Sequence, residues 1–195
     1  IFIRIMLTWI LPIALIAFVY TTKAGCETTN GMGTVTAGAV IENYAPKKPF
    51  SPVSDQKIVL VGGCFDVLHY GHVEFLKNAK SQGQILVVAL EPDEKISKFK
   101  HRKPIHNQQQ RANNLSAIRY VDRVLLLPNL QGFEAYSQLV KDIHPDIIAI
   151  TSDDPFMETK RTHANNIGAE LVIVIDRIDG LSSSKIIGSA ESRIE

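Results

Sequence analysis

Beyond residue 55 the chain is punctuated by five short runs of uninterrupted apolar residues, and these constrain its fold more than any other feature. They are Lys57–Gly63 (KIVLVGG), Gln84–Leu90 (QILVVAL), Val124–Leu127, Asp146–Ile150 and Glu170–Ile175. A strand with one face in water alternates apolar and polar residues, whereas a strand buried on both faces reads as a continuous run, as inside a parallel sheet. Parallel neighbours cannot be joined by a tight turn and need a crossover, normally a helix. The stretches between the runs are long enough, and helices are expected at Gly71–Ser81, Gln108–Arg119, Phe133–Ile143 and Asp154–Ile167, with a further one closing the chain from Ser183. The predicted architecture is a Rossmann-like α/β fold, a doubly wound five-stranded parallel sheet in a single domain. Ligands of such a sheet bind outside the carboxyl ends of its strands, where the strand order reverses.

A chain of 195 residues holds one such domain with roughly fifty residues to spare. We assign residues 56–195 to the domain. Residues 23–55 are rich in Thr, Gly and Pro, with Thr28, Thr29, Asn30 and Gly31 early and Pro46, Pro49 and Pro52 late, which is linker composition. Residues 1–22 are almost wholly apolar, and Ile5–Tyr20 is of borderline length for a membrane span. Three readings of this segment stay open. It is a membrane anchor, or a signal region with Arg4 as its charged start and Ala24-Gly25 before Cys26, or non-native upstream translation, with Met32 as a candidate start.

Charge and cysteine content exclude several classes. The chain has 21 Lys+Arg against 20 Asp+Glu. Removing Arg4, Lys23, Lys47 and Lys48 from the first count, and Glu27, Glu42 and Asp55 from the second, leaves 17 of each in the domain. A neutral domain lacks the basic excess of a nucleic-acid binder. With 45% hydrophobic residues it is not a disordered chain. Two cysteines, Cys26 and Cys64, make neither a disulfide framework nor a zinc spacing.

The first long run ends in Gly62-Gly63-Cys64-Phe65-Asp66-Val67-Leu68-His69-Tyr70-Gly71-His72. Glycines here let backbone amides approach a ligand closely, and His69 and His72 can meet at the start of a helix, where free N–H groups attract anions. The pattern asks for a phosphate; isolated histidines at such a place would more simply be capping or core residues. A second block, Lys95-Ile96-Ser97-Lys98-Phe99-Lys100-His101-Arg102-Lys103 followed by His106 and Arg111, forms either a polyanion-facing loop or a solvated surface loop. A third, Arg177-Ile178-Asp179-Gly180-Leu181-Ser182-Ser183-Ser184-Lys185, opens the last helix with three hydroxyls and is either another anion site or a helix cap.

The first block resembles the signature Gly-x-Phe-Asp-x-x-His-x-Gly-His of the cytidylyltransferase-like, or HxGH, nucleotidyltransferase superfamily. The resemblance runs from about Ile58 to Ile187. It is nearest in motif to ethanolamine-phosphate and glycerol-3-phosphate cytidylyltransferases and to the nucleotidyltransferase part of ADP-heptose synthesis enzymes. It implies an enzyme that joins CTP, or less readily ATP, to a phosphate monoester and releases pyrophosphate; adenylyl transfer to a sugar phosphate or FMN, and a catalytically silent regulator, are the alternatives. By this similarity the catalytic residues are His69, His72, Lys98 and Arg177. Gly62, Gly63, Cys64, Phe65, Gly71, Asp153, Ser182, Ser183 and Ser184 would bind the nucleotide, and Lys100 and Arg111 the acceptor phosphate. Mg²⁺ is expected as a bridging ion without a dedicated protein cage.

The third block is similar to the family's Arg-Thr-x-Gly-Ile-Ser-Thr-Thr motif, departing from it at Ile178 and at Ser183-Ser184, where the serines keep the hydroxyls. Thr151-Ser152-Asp153-Asp154 stands where relatives carry Gly-Asp-Asp or Gly-Asn-Asp. Asp66 is read as structural and Cys64 as packing. Partners other than the two small substrates are not implied, nucleic acid least of all; relatives commonly dimerise, and use of cellular nucleotide places the catalytic domain in the cytoplasm, anchored or not.

Overall fold

The computed structural model describes residues 38–47, 55–178 and 180–191. In chain order the elements are β1 (Val40–Asn43), β2 (Ile58–Gly63), α1 (Tyr70–Lys80), β3 (Ile85–Leu90), α2 (Asp93–Lys100), α3 (Gln108–Ser116), β4 (Arg123–Leu126), α4 (Gly132–Ile143), β5 (Ile147–Thr151), α5 (Met157–Asn165), β6 (Glu170–Ile175) and α6 (Ser183–Glu191). All strand pairs are parallel, in the order β1-β4-β3-β2-β5-β6. The Rossmann-like doubly wound sheet is therefore present, with six strands rather than five.

The sixth strand lies in the stretch expected to be linker. Val40–Asn43 pairs along its whole length with Arg123–Leu126 of β4, so the folded unit begins at Gly38 and not at Gln56. Four residues reading Val-Ile-Glu-Asn, half of them polar, carry too little apolar signal to stand out among Thr, Gly and Pro. Tyr44 then pins the strand's exit: its hydroxyl donates to Asp142 of α4 at 2.7 Å. The apolar segment 1–22, the linker up to residue 37 and residues 48–54 lie outside the described residues. Among those described, no helix is long and apolar enough to cross a membrane.

Burial follows position in the sheet. Every residue of the central β3 is buried, as are the first four of β2. β6 is different: it is an edge strand, no residue in it is fully buried, and Ile173 is half exposed. Its continuous apolar run had suggested burial on both faces. One core face packs Phe75, Leu76 and Ala79 of α1 and Ala112 and Leu115 of α3 against the sheet. The other packs Leu139, Val140 and Ile143 of α4 and Ala164 of α5. The chain leaves β2 toward β3 and β4, then returns to β5 on the opposite side, so the strand order reverses between β2 and β5. At that point the carboxyl ends diverge and open a crevice.

Candidate active site

β2 delivers Gly62 and Gly63 to the mouth of this crevice, and the chain then makes a sharp turn before α1. Phe65 takes a left-handed backbone, φ 45°, while its side chain is buried. A side chain at Gly63 would meet the Phe65 ring at 2.8 Å, so the glycine is required for the turn to close. Asp66, 2% exposed, holds the turn from below. Its carboxylate accepts from Arg102 at 2.6 Å and from the backbone N–H groups of Ile105 and His106 at 2.9 and 3.1 Å. Burial alone would raise this carboxyl; the donors from His106, Arg102 and Ile105 outweigh it and leave it below its ordinary value. Asp66 is thus structural, as expected.

His69 and His72 lie side by side at the start of α1, their rings stacked with centroids 3.8 Å apart. His69 occupies the N-cap position, and its carbonyl accepts from His72 and Val73. Gly71 lets the rings settle, because a Cβ there would stand 3.2 Å from the His69 ring. The Nδ1 atoms of both are buried with no hydrogen-bond partner. Burial, then repulsion from His69 and Lys100, pushes His72 down to about 4. His69 is lowered by burial and by Arg177. Both imidazoles are thus disfavoured in their charged form.

The crevice is a cleft of about 290 Å³ lined by Gly62–Phe65, His69, Gly71 and His72, together with Lys100, Asp153, Asp154, Lys160, Arg177, Ser182 and Ser183. Arg177 donates to Asp153 at 2.9 Å, and this contact is the main reason the Asp153 carboxyl is held below its usual value. Asp154 caps the turn into α5 by accepting from the Phe156 N–H and takes a second bond from Lys160 at 2.6 Å. Ser182 accepts from the Lys185 N–H, and Ser183 donates to the Val67 carbonyl, fastening α6 to the glycine turn. The hydroxyls of Ser182 and Ser183 thus serve as structure.

Three expected residues fall outside the cleft. Arg111 is completely buried and cannot touch an acceptor phosphate: its guanidinium donates to the carbonyls of Cys64 and His106 and to Asp93 at 2.6 Å. Lys98 and Ser184 are exposed and do not line it. Lys98 sits on α2, a helix where a loop was expected, so that Lys100 at the helix end faces the cleft instead. The sequence reading missed Lys160, whose only signal was a basic residue in the first turns of a polar helix. It missed also the Glu91–Tyr136 pair nearby, in which the tyrosine hydroxyl donates to the carboxylate at 2.8 Å and burial raises the Glu91 carboxyl. Cys64 lines the cleft, but burial pushes its thiol up and keeps it protonated, in keeping with packing.

Fold and cleft together define a doubly wound α/β domain with a polar crevice, lined by histidines, glycines and cations, at its switch point. Residues 60–189 match the family model described as Cytidylyltransferase-like, and the chain belongs to this family as a nucleotidyltransferase. It is 43% identical over 135 residues to the FAD synthase of Thermococcus kodakarensis, a match covering 66% of this chain and 88% of that protein. It is 34% identical over 139 residues to the bifunctional protein HldE of Campylobacter jejuni subsp. doylei, covering 68% of this chain but 27% of that protein. Among solved structures, the lipopolysaccharide core biosynthesis protein of Thermoplasma volcanium superposes with a TM-score of 0.51 at 29% identity, over 63% of this chain and 97% of that one. The pantothenate synthetase of Thermus thermophilus gives 0.52 at 16% identity over 71% of this chain and 64% of that one, a likeness of fold.

Proposed function

We propose that the chain is an adenylyltransferase that joins the AMP part of ATP to FMN, forming FAD and pyrophosphate. The observation that carries this is the 43% identity to a protein named FAD synthase, spanning nearly the whole of that protein, set beside a cleft whose groups suit a triphosphate and an acceptor phosphate. The expectation of CTP gives way to ATP on the same ground. The triphosphate would lie over the N-terminus of α1, between the Gly62–Gly63 turn and the opening of α6, with Arg177 at its flank.

In this reaction an oxygen of the FMN phosphate attacks the α-phosphorus of ATP in line, the bond to the bridging oxygen breaks, and pyrophosphate leaves with the electron pair. The attacking oxygen is already anionic, so no general base is needed. His69 and His72 supply N–H donors to the oxygens on which charge builds, and catalysis is positioning plus electrostatic stabilisation. Lys100 and Lys160 would hold the acceptor phosphate on the other flank.

Among the described residues, no group of three His, Cys, Asp or Glu side chains is placed to hold a metal ion. The cleft carboxylates of Asp153 and Asp154 are each engaged by a cation of the chain. Mg²⁺, when bound with the triphosphate, would supply neutralisation of its charge, and no cleft residue is assigned to hold it. The test is pyrophosphate release by the full chain with Mg²⁺ and ATP or CTP against FMN, ethanolamine phosphate, glycerol 3-phosphate and a heptose 1-phosphate. Release with ATP and FMN alone is the expected result; release with another pair would replace the reading.

A further inference from the structure

Two aromatic rings stand exposed beside the cleft with no structural duty that accounts for them. Phe99, at the end of α2, is 58% exposed, and Phe156, at the start of α5, is 54% exposed. Their chain neighbours Lys100 and Pro155 line the cleft. Single exposed aromatics are ordinary, but these come from helices far apart in the sequence and meet edge to face, centroids 6.4 Å apart and planes at 73°. Phe156 also occupies the N-cap of α5 without any side-chain capping bond, a position where Ser, Thr, Asp or Asn is favoured. Local helix chemistry does not ask for phenylalanine there.

Two rings at a steep angle make an apolar corner that accepts a planar group against one ring face and the edge of the other. Cations surround it. Lys95 and Lys98 each place Nζ 5.8 Å from the Phe99 centroid, and Lys100 and Lys160 face the cleft beside it. An aromatic corner rimmed by N–H donors and adjoining phosphate-binding lysines matches a phosphate monoester with a flat heteroaromatic ring that bears carbonyl acceptors. It does not match a small alcohol phosphate or a sugar phosphate. The nucleotide-facing groups, His69, Arg177 and the start of α6, come from other elements; the corner belongs to α2 and α5.

We infer that Phe99 and Phe156 form the platform on which the flat ring of the acceptor rests, and that they select a flavin-class acceptor. The inference rests on the proposed use of FMN and goes beyond it by locating the ring. In the full chain, Phe99→Ala and Phe156→Ala each raise the KM for FMN about tenfold, the loss expected of one aromatic stack, and leave the KM for ATP within about twofold. Phe156→Tyr keeps the wild-type KM, whereas Phe156→Leu, apolar but without a π face, behaves like the alanine variant. Titration of FMN by quenching of its emission gives the same ranking without turnover.

An unchanged FMN KM in both alanine variants overturns the platform while leaving FAD synthesis standing. A rise in the ATP KM instead overturns it in favour of a nucleobase contact. If the wild type makes no FAD but binds FMN, and the alanine variants lose that binding, the platform stands and the reaction falls. If the wild type neither makes FAD nor binds FMN, both fall.

Discussion

Under the proposed reaction, side chains around the cleft divide into those that would meet phosphate and those that hold the backbone in place for them. His72 is of the first kind, and His72→Ala should lower kcat roughly 10²-fold or more while moving Tm by less than about 4 °C, read by steady-state kinetics beside thermal unfolding. Arg111 is of the second kind. Arg111→Met strips donors from two carbonyls and from Asp93, and should cost about 3 kcal/mol in urea unfolding. Sequence alone left the basic block as either a polyanion-facing or a solvated loop, and could not say which of its members would reach the cleft. Lys98, Lys100 and Arg111 differ only in the direction each takes from its helix, and that depends on α2 and on packing between distant segments. The histidine pair was legible because its spacing and its glycines form one contiguous string.

The elements carry a pH dependence of their own, centred on the start of α1. Burial lowers His69, His72 and His163 in the folded state, so below the unfolded value near 6.5 the unfolded chain binds protons that the folded chain refuses. Stability is then fullest above about pH 6.5 and falls as pH drops below it, for His72 by up to roughly 1.4 kcal/mol per pH unit down to about 4, with His69 and His163 acting in the same direction. Urea midpoints at pH 8 and pH 5 measure this, and His72→Gln should flatten the difference. The five strands beyond residue 55 could be read because each is a continuous apolar run, although in β6 the run marks an edge strand and not a buried one. α2 could not: only Lys95 and Ile96 are buried in its eight residues, too narrow a stripe to show through so many lysines.

Over the whole molecule, β1 closes one edge of the sheet. A chain starting at Gly38 should unfold in one cooperative transition. A chain starting at Gln56 should melt several degrees lower and scatter light on heating, because the backbone groups of β4 are then left open to another chain. Thermal unfolding followed by circular dichroism and light scattering compares the two; equal Tm values would show that the edge strand contributes nothing.

The pairing of Val40 with Arg123 also fixes an order of events at the ribosome. β1 is made first, yet its partner follows about eighty residues later, which at roughly 5–20 residues/s is a delay of about 4–16 s. For most of that interval Val40 and Ile41 lack their sheet partner, and the strand that closes this edge stays open to capture by a nascent-chain chaperone.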